Sequence, residues 1–513
     1  MSGHCVTPSK GTGRGWSGGV GRSLAGVGAG VLALHVPPGM VDEVLESVGG
    51  GQQRFRALPS RIGVYFVLAL ALFSARGYGG VIAAVVSGCR DRLEADGWVL
   101  PSSAALTKLR RRLGAAPFEL LFRRVTGYRP CAARPWSHAF GLLLVAWDGT
   151  TIDLADSPAN GEAFGRPSCG KGPAGYPQAR LVALMTCGSR LVIDAVWGGY
   201  CAGERALAER LLPGLSKGML LLADRGYPSY RLWCASAATG AQLLWRVRPD
   251  LRLPVQRVLP DGSYLSRWTD PADSKRQAKR RAYNRSRGHR PPPPQPPRGP
   301  VVRVVEAVIT VRTGDGEVRT GHYRLITTLL DWQAAPADQI AATYARRWAC
   351  ETGFREIKTY LRGSMRALRG SDPDTARQEL WAYLIVYQAI RLIICQAATA
   401  ADLEPGRISF TATRDAVQDA ISTTPRHAKT RTESIGRDLV RRLIAKHVTC
   451  RTCPRMAKRP LFHFPSRQAS TAQASQNVTY QLSVIAPTPA TAEPDVVLHQ
   501  AKPPHPTALP RAA

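Results

Sequence analysis

The chain is 513 residues long, enough for two to four domains that each bury a core, and its 44% apolar content excludes a wholly disordered protein. Its 69 Lys and Arg against 37 Asp and Glu leave a formal charge of +32, so a large polyanion is the expected partner. Arg outnumbers Lys, as a GC-rich genome would supply, but that explains only the ratio and not the excess of positive charge.

Residues 1–30 are rich in Gly and Ser and read as a disordered tail. The weakly apolar residues 25–36 have no clear cleavage site after them and lead into the first domain without reading as a signal peptide. A helical pattern covers residues 37–125, with segments at 41–48, at 59–76 and from Pro101-Ser102-Ser103 into Lys108, Arg110, Arg111 and Arg112. Residues 31–135 are therefore expected to form a small helical DNA-binding domain. The longest apolar run, residues 62–73, is too short for a bilayer and predicts a buried helix, so no membrane partner is expected.

From residue 136 the texture changes. Residues 142–147 form an apolar run that ends in Asp148-Gly149-Thr150, as a strand buried on both faces would. Residues 181–187 and 190–197 read as two further strands around a Gly188-Ser189 turn, followed by a helix over 203–212. Residues 219–223 make another buried strand, ending in Asp224-Arg225-Gly226-Tyr227. A helix over 229–239 and a strand over 242–247 complete an α/β region, residues 136–248, with a mixed sheet.

Residues 249–330 are β-rich, with the clearest strands at 304–312 and 321–327. Within them, residues 275–298 hold nine Lys or Arg and no acid, then a Pro run, and read as a basic disordered loop. Helices resume over 335–361 and 375–400 within residues 331–467, and residues 468–513 read as a second disordered tail. Eleven scattered cysteines fit a reducing cytoplasm better than a disulfide framework. Cys450 and Cys453, with His447 nearby, lack the second pair that a zinc site needs.

Asp148 and Asp224 share a context: an apolar strand, then Asp at its end, then Gly in a turn. Two such carboxylates and a third acid suit two divalent ions about 3.5–4 Å apart for in-line attack on a phosphodiester. The third element lies in the helix over 335–361. At about 100° per residue, Tyr344, Arg347, Glu351 and Lys358 fall within a stripe of about 60°, while Glu356 sits about 120° away. That stripe suits a surface that grips phosphates while one acid holds metal, though a solvated face with Arg and Glu four apart has the same pattern.

The spacing Tyr344-x2-Arg347-x3-Glu351-x6-Lys358 resembles the signature of the insertion-sequence family 4 transposases, which carry a catalytic Asp-Asp-Glu triad. Asp224-Arg225-Gly226-Tyr227 and Asp148-Gly149-Thr150-Thr151 are similar to that family's second-Asp and first-Asp motifs. Leu58-Pro59-Ser60-Arg61, Arg377-Gln378-Glu379-Leu380-Trp381, and Pro454-Arg455 with Lys458-Arg459 resemble its flanking regions, so the likeness spans residues 32–467. It implies an RNase H-like catalytic core interrupted by the β-rich insertion and preceded by the helical domain. It also implies a DNA transposase that binds terminal inverted repeats, cuts them and joins them to target DNA, as a homodimer in a paired-end complex.

Under that resemblance Asp148, Asp224 and Glu351 ligate two Mg²⁺ ions, for which Mn²⁺ can substitute. Tyr344, Arg347 and Lys358 hold phosphates near the scissile bond. A hairpin intermediate is also implied, with Trp245 and Trp268 as candidates to stack on an extruded base. The expected location is the bacterial cytoplasm at the nucleoid. Two other readings stay open on the residues: a non-cleaving DNA-binding regulatory or decayed copy, and a structure-selective nuclease.

Overall fold

The computed structural model describes residues 30–49, 58–127, 134–169, 172–173, 175–287, 299–312, 318–363, 367–423, 429–444 and 479–487. The chain forms two compact units. One comprises residues 1–126, 152–178 and 355–447; the other comprises residues 127–151, 179–354 and 448–513. The division differs from the succession of domains expected from sequence, because the amino-terminal helices share a unit with residues 355–447.

The first unit is helical. Its axis is the helix Pro373–Ala400, which begins with the Asp372 side chain accepting the Thr375 N–H at 2.9 Å and Pro373 at the first helical position. By length and composition this helix could cross a bilayer, yet 89% of its most apolar window is buried inside the protein. Against it pack Ser60–Leu72 and Ala116–Val125. Ser60–Leu72 buries every residue but Arg61, which is held by Asp42 at 2.7 Å. Ser103–Leu113 starts at Ser102, whose hydroxyl accepts the Ala105 N–H at 3.2 Å. It crosses Ser60–Leu72 closely at Gly63, where a Cβ would stand 2.6 Å from Leu113 Cδ1.

The basic cluster on Ser103–Leu113 divides in two. Lys108, Arg111 and Arg112 are exposed, but Arg110 is 2% exposed. Leu106, Leu109, Arg110 and Leu113 form the buried stripe of this helix, and Arg110 takes an inward position of that 3.6-residue period. Inside, its guanidinium pairs with Glu379 at 2.8 Å and donates to Gln378 Oε1 at 2.9 Å and to the Thr375 carbonyl at 3.0 Å. The expectation that Arg110 faces DNA is thus corrected: it is an internal cross-link.

The second unit is built on one large sheet. Its strands are β1 (His138–Ala139), β2 (Leu142–Asp153), β3 (Gln178–Thr186), β4 (Val192–Gly199), β5 (Met219–Ala223), β6 (Gln242–Arg246), β7 (Arg257–Val258), β8 (Tyr264–Arg267), β9 (Val301–Arg312), β10 (Val318–Thr327) and β11 (Thr479–Val484). Their order is β4-β3-β2-β5-β6-β10-β9-β8-β7, with β1 on β2 and β11 on β9. β2, β5 and β6 run parallel, and their near-continuous apolar sequences are what burial on both faces requires. β10 joins β6 antiparallel through Leu325↔Arg246 and Ile326↔Trp245, so the inserted strands extend the same sheet.

Under one face of that sheet lies an aromatic core. Trp147 packs on Tyr227 and Trp245, and Trp233 on Trp245 and Trp268, with ring centroids 5.1–5.9 Å apart. Trp245 and Trp268 are both buried in it, so neither presents a ring for stacking on a base as the sequence suggested.

Two stretches read as disordered contain regular structure. Pro271–Ser286 is a helix within the basic stretch, and β11 lies inside the expected tail, where Leu482 is buried against the sheet edge formed by β9. Residues 288–298, the tail before residue 30, and the group His447, Cys450 and Cys453 lie outside the described residues, as do Pro454-Arg455 and Lys458-Arg459.

Candidate active site

The sheet register sets the first two acids side by side. Ala146 stands opposite Leu222 on the parallel neighbours β2 and β5. Two residues further along each chain come Asp148, still within β2, and Asp224, just past the end of β5, close enough for its charge to act on Asp148. Adjacent strands are about 4.8 Å apart. Asp224 follows the end of β5, as expected, but β2 runs on to Asp153, so Asp148 and Gly149 lie within the strand and not in a turn at its end. At that point the Gly149 N–H donates to Asp148 Oδ1 at 2.9 Å, and a turn closes over Asp224 through Tyr227 N–H to the Asp224 carbonyl at 3.0 Å.

The third acid arrives on a helix that is not uniform. The expected helix over 335–361 is four segments: α-helix Ala337–Tyr344, a 3₁₀ turn Ala345–Arg347, α-helix Trp348–Arg355 and a π-helical stretch Glu356–Leu361. A constant 100° per residue does not hold across such changes of pitch. Within the second unit, however, Tyr344, Arg347 and Glu351 do come together with the two Asp. The Tyr344 hydroxyl donates to Asp224 Oδ1 at 3.4 Å. Arg347 donates to Glu351 Oε1 at 2.8 Å and pairs with Asp148 Oδ2 at 3.5 Å. The Cys350 thiol bonds to the Ala146 carbonyl at 3.3 Å, and Arg346 donates to the Pro135 carbonyl at 2.7 Å, so the helix is fastened to β2 and the segment before it.

Lys358 is half-buried on the π-helical stretch and belongs to the first unit. Glu356, on the same stretch, is buried: the Tyr387 hydroxyl donates to it at 3.2 Å, and Arg391 lies 3.6 Å away.

Burial dominates the electrostatics. It pushes the Asp148 carboxyl up to about 6 against the opposing pull of Arg347 and the Gly149 N–H, with Glu351 and Asp224 adding to the rise. Burial also works against the Arg347 charge, yet Tyr344, Asp148, Asp224 and Glu351 together hold that guanidinium above its ordinary value. The Tyr344 phenol is raised, chiefly by burial. Three carboxylates around one guanidinium leave two negative charges unmatched. As arranged, no three Asp, Glu, His or Cys side chains among the described residues stand close enough to hold a metal ion; Arg347 bridges two of the acids instead. The donor set still fits a hard divalent cation, being all carboxylate oxygen and in excess negative charge by two.

Sequence reasoning missed two neighbours of this group. Arg246, at the end of β6, stacks over Tyr323 with its Cζ 4.3 Å from the ring centroid, and Tyr323 in turn meets Tyr344 edge-on at 6.2 Å. Glu204 lies against Gly149, where a Cβ would come within 2.7 Å of its carboxyl carbon. The Trp245-Arg246 end of β6 was a visible signal for the first. Glu204 gave none.

A family model described as "Insertion element 4 transposase N-terminal" matches residues 27–123, and one described as "Transposase DDE domain" matches residues 140–389. The chain is 28% identical over 415 residues to the transposase InsG for insertion sequence element IS4 of Escherichia coli (strain K12), covering 80% of this chain and 86% of that protein. It is 30% identical over 219 residues to the putative transposase InsZ of the same strain, covering 42% of this chain and 70% of that one. Among solved structures, a piggyBac transposase synaptic complex with hairpin DNA aligns over 83% of this chain and 86% of that one, at 11% identity and a TM-score of 0.39. No residue correspondence follows from so loose a likeness.

Proposed function

The chain belongs to the insertion-sequence family 4 of DNA transposases, and from that premise we propose that it binds its element's terminal inverted repeats, cuts them and transfers the strands to target DNA. The observation that carries the reading is the parallel pairing of β2 and β5 up to Ala146↔Leu222, two residues before Asp148 and Asp224, beside a helix whose Glu351 shares Arg347 with Asp148. The order β4-β3-β2-β5-β6, with the first long strand central and the two acid-bearing strands adjacent, supports an RNase H-like core carrying the inserted strands at one side.

Asp148, Asp224 and Glu351 would hold the divalent ions, Mg²⁺ by the hardness of the oxygen donors and two in number by the demands of in-line displacement. Such ions, when bound, activate the attacking water or 3′-hydroxyl and stabilise the leaving oxygen. The other residues position these acids and the DNA. Tyr344 fixes Asp224 through its hydroxyl, and Cys350 fixes the helix to β2. Arg347 offers a planar fork that matches phosphate oxygens, with a buried Nε that has no hydrogen-bond partner among the described residues. Lys358 supplies a further cation for the DNA backbone. A homodimer pairs two ends. The cytoplasm is the proposed location, and the six free cysteines among the described residues are in keeping with it.

The test separates binding from chemistry. Changing Asp148, Asp224 or Glu351 to Ala should abolish nicking of an end-bearing duplex with Mg²⁺ while leaving its gel shift intact. Persistent nicking by Asp224→Ala would sink the assignment. A plasmid excision assay then distinguishes the alternatives, because a regulatory copy excises nothing and a nuclease cuts without rejoining.

A further inference from the structure

Near Glu351 the catalytic helix is fastened to β2 through Cys350, but its start is fastened elsewhere. The first segment, Ala337–Tyr344, begins without a cap of its own, because Pro336 at the N-cap position has no side-chain acceptor to offer. The Ala337 N–H is accepted instead, at 2.9 Å, by a carboxylate from 76 residues away, that of Asp261. A negative charge there also suits the positive end of the helix dipole. Asp261 owes its place to a tight turn: Pro260-Asp261-Gly262 is the tip of the β7–β8 hairpin, with Gly262 at φ 82° and the Leu259 N–H donating to the Ser263 carbonyl at 2.8 Å. The Ser263 N–H and hydroxyl donate to Asp261 Oδ1 at 3.2 and 2.5 Å, which leaves Oδ2 for Ala337 and for the guanidinium of Arg303.

Arg303 is fully buried in β9. Its neighbours Val302 and Val304 belong to the aromatic core, so by strand alternation Arg303 points to the opposite face of the sheet. There its Nε donates to Ser263 Oγ at 2.8 Å, and one terminal nitrogen donates to the carbonyls of Ala335 at 2.7 Å and of Leu329 and Asp331 at 3.3 Å. Those three carbonyls lie on the segment that leads from β10 into the helix. One guanidinium thus ties hairpin, strand and helix start together, with its charge offset by Asp261.

What the helix delivers needs exact placement. Tyr344 must reach Asp224, and Arg347 must stand between Asp148 and Glu351. Groups of this kind work only when held to within about 0.5 Å. Ala337 and Tyr344 are the two ends of one α-helical segment, about 10 Å apart at 1.5 Å per residue, so a slip at its start is passed along the axis to the site. We infer, on the reading of this site as a metal-dependent cleavage centre, that Asp261 and Arg303 are positioning residues for the reaction: through them the inserted strands set where the helix starts, and so where Tyr344, Arg347 and Glu351 meet the two Asp. A role confined to stabilising the insertion has a control in the same strands. Arg324 on β10 shares the parity of Ile326 and so faces the aromatic core. It donates to the Pro249 and Leu251 carbonyls at 3.0 and 2.6 Å and pairs with Glu306 at 3.1 Å, and none of these groups leads into the helix.

The experiment titrates Mg²⁺ calorimetrically into the full chain and its Arg303→Met, Asp261→Asn and Arg324→Met variants, each below its unfolding onset. Nicking of an end-bearing duplex is followed against Mg²⁺ concentration alongside. Arg303→Met should lose about 10- to 100-fold in Mg²⁺ affinity, as removal of a group that orients metal ligands does, and should nick only at correspondingly higher Mg²⁺. Asp261→Asn keeps the size of the side chain and loses its charge. It should shift in the same direction, and it decides the matter if Arg303→Met does not fold. Arg324→Met should unfold more readily than the parent yet keep the parental Mg²⁺ affinity. Parental affinity in folded Arg303→Met or in Asp261→Asn, or an equal loss in Arg324→Met, would overturn the positioning role while leaving the cleavage site intact. A parent that neither binds Mg²⁺ nor nicks would remove the function reading and the inference with it.

Discussion

Replacing Arg110 with Met tests whether the helical unit is held by an internal ion pair or merely carries a basic surface. In the protein Arg110 and Glu379 are both buried, 2.8 Å apart, and Arg110 also donates to Gln378 and to the Thr375 carbonyl. Removing one partner of a buried pair leaves a charge with no compensation and costs about 3–5 kcal/mol. At roughly 2–4 °C per kcal/mol for a unit of this size, thermal unfolding should fall by about 6–20 °C. The double variant Arg110→Met/Glu379→Met takes away both charges and should recover most of that loss, since an apolar replacement of similar volume is often neutral. Glu379 also accepts the Arg369 N–H at 2.8 Å, so recovery should be incomplete by about 1 kcal/mol. Scanning calorimetry and urea unfolding of the three proteins provide the assay. The salt slope of DNA binding, corrected for the folded fraction, should not change in Arg110→Met. A single variant as stable as the parent, a double variant no better than the single, or a shallower salt slope would refute the assignment of Arg110 to the interior.

Two further outcomes follow from the site. In the metal-free protein burial raises Asp148 to about 6 from an ordinary 3.8, so over that window the folded chain binds more protons than the unfolded one and gains stability as pH falls. Calorimetric Mg²⁺ affinity should drop as pH is lowered through about 6, because the neutral carboxyl is a poor ligand; a flat profile between pH 7 and 5 would contradict the buried setting of Asp148. Arg347→Lys keeps the charge but loses the fork. It should weaken the complex with a pre-nicked end by about 1.5–3 kcal/mol, roughly 10- to 150-fold, with Mg²⁺ affinity changed little, as read by gel shift and metal titration.

The parts of this fold that were legible in sequence are those where one local rule has no competitor. Residues 142–147 and 219–223 are apolar throughout, so they can only be buried strands or short buried helix, and the turn expected after the second run is present at Asp224, whereas the one expected at Asp148-Gly149 is not, because β2 continues to Asp153. The sheet register that makes those acids neighbours is not local, and sequence could supply it only through resemblance. Arg110 misled because charge outweighed position: Leu106, Leu109 and Leu113 already marked the inward stripe on which it lies. The helix Pro271–Ser286 misled for the opposite reason. Its composition is that of a disordered segment, but Asp270 and Pro271 form a helix start, and that signal was outvoted by charge density and the Pro run beyond it.

The helix that carries Glu351 shows how far a periodic argument reaches. A uniform 100° step correctly grouped Tyr344, Arg347 and Glu351 within one stripe, since only a short 3₁₀ turn intervenes among them. It also separated Glu356 from that stripe, but lying off the stripe does not make Glu356 an idle surface residue. Glu356 is buried, accepts the Tyr387 hydroxyl at 3.2 Å and lies 3.6 Å from the fully buried Arg391. Glu356→Ala should therefore destabilise the first unit by about 3–5 kcal/mol and lose cleavage through unfolding, not through metal. Glu356→Gln is the sharper probe, because it keeps an acceptor for Tyr387 while cancelling the charge. It should retain Mg²⁺ affinity in the fraction that stays folded, whereas Glu351→Gln should lose Mg²⁺ binding with stability close to that of the parent. Metal titration alongside urea unfolding of the two Gln variants decides between them. If Glu356→Gln stayed folded and lost the metal while Glu351→Gln kept it, Glu356 would be the third ligand and the site built on Glu351 would be wrong.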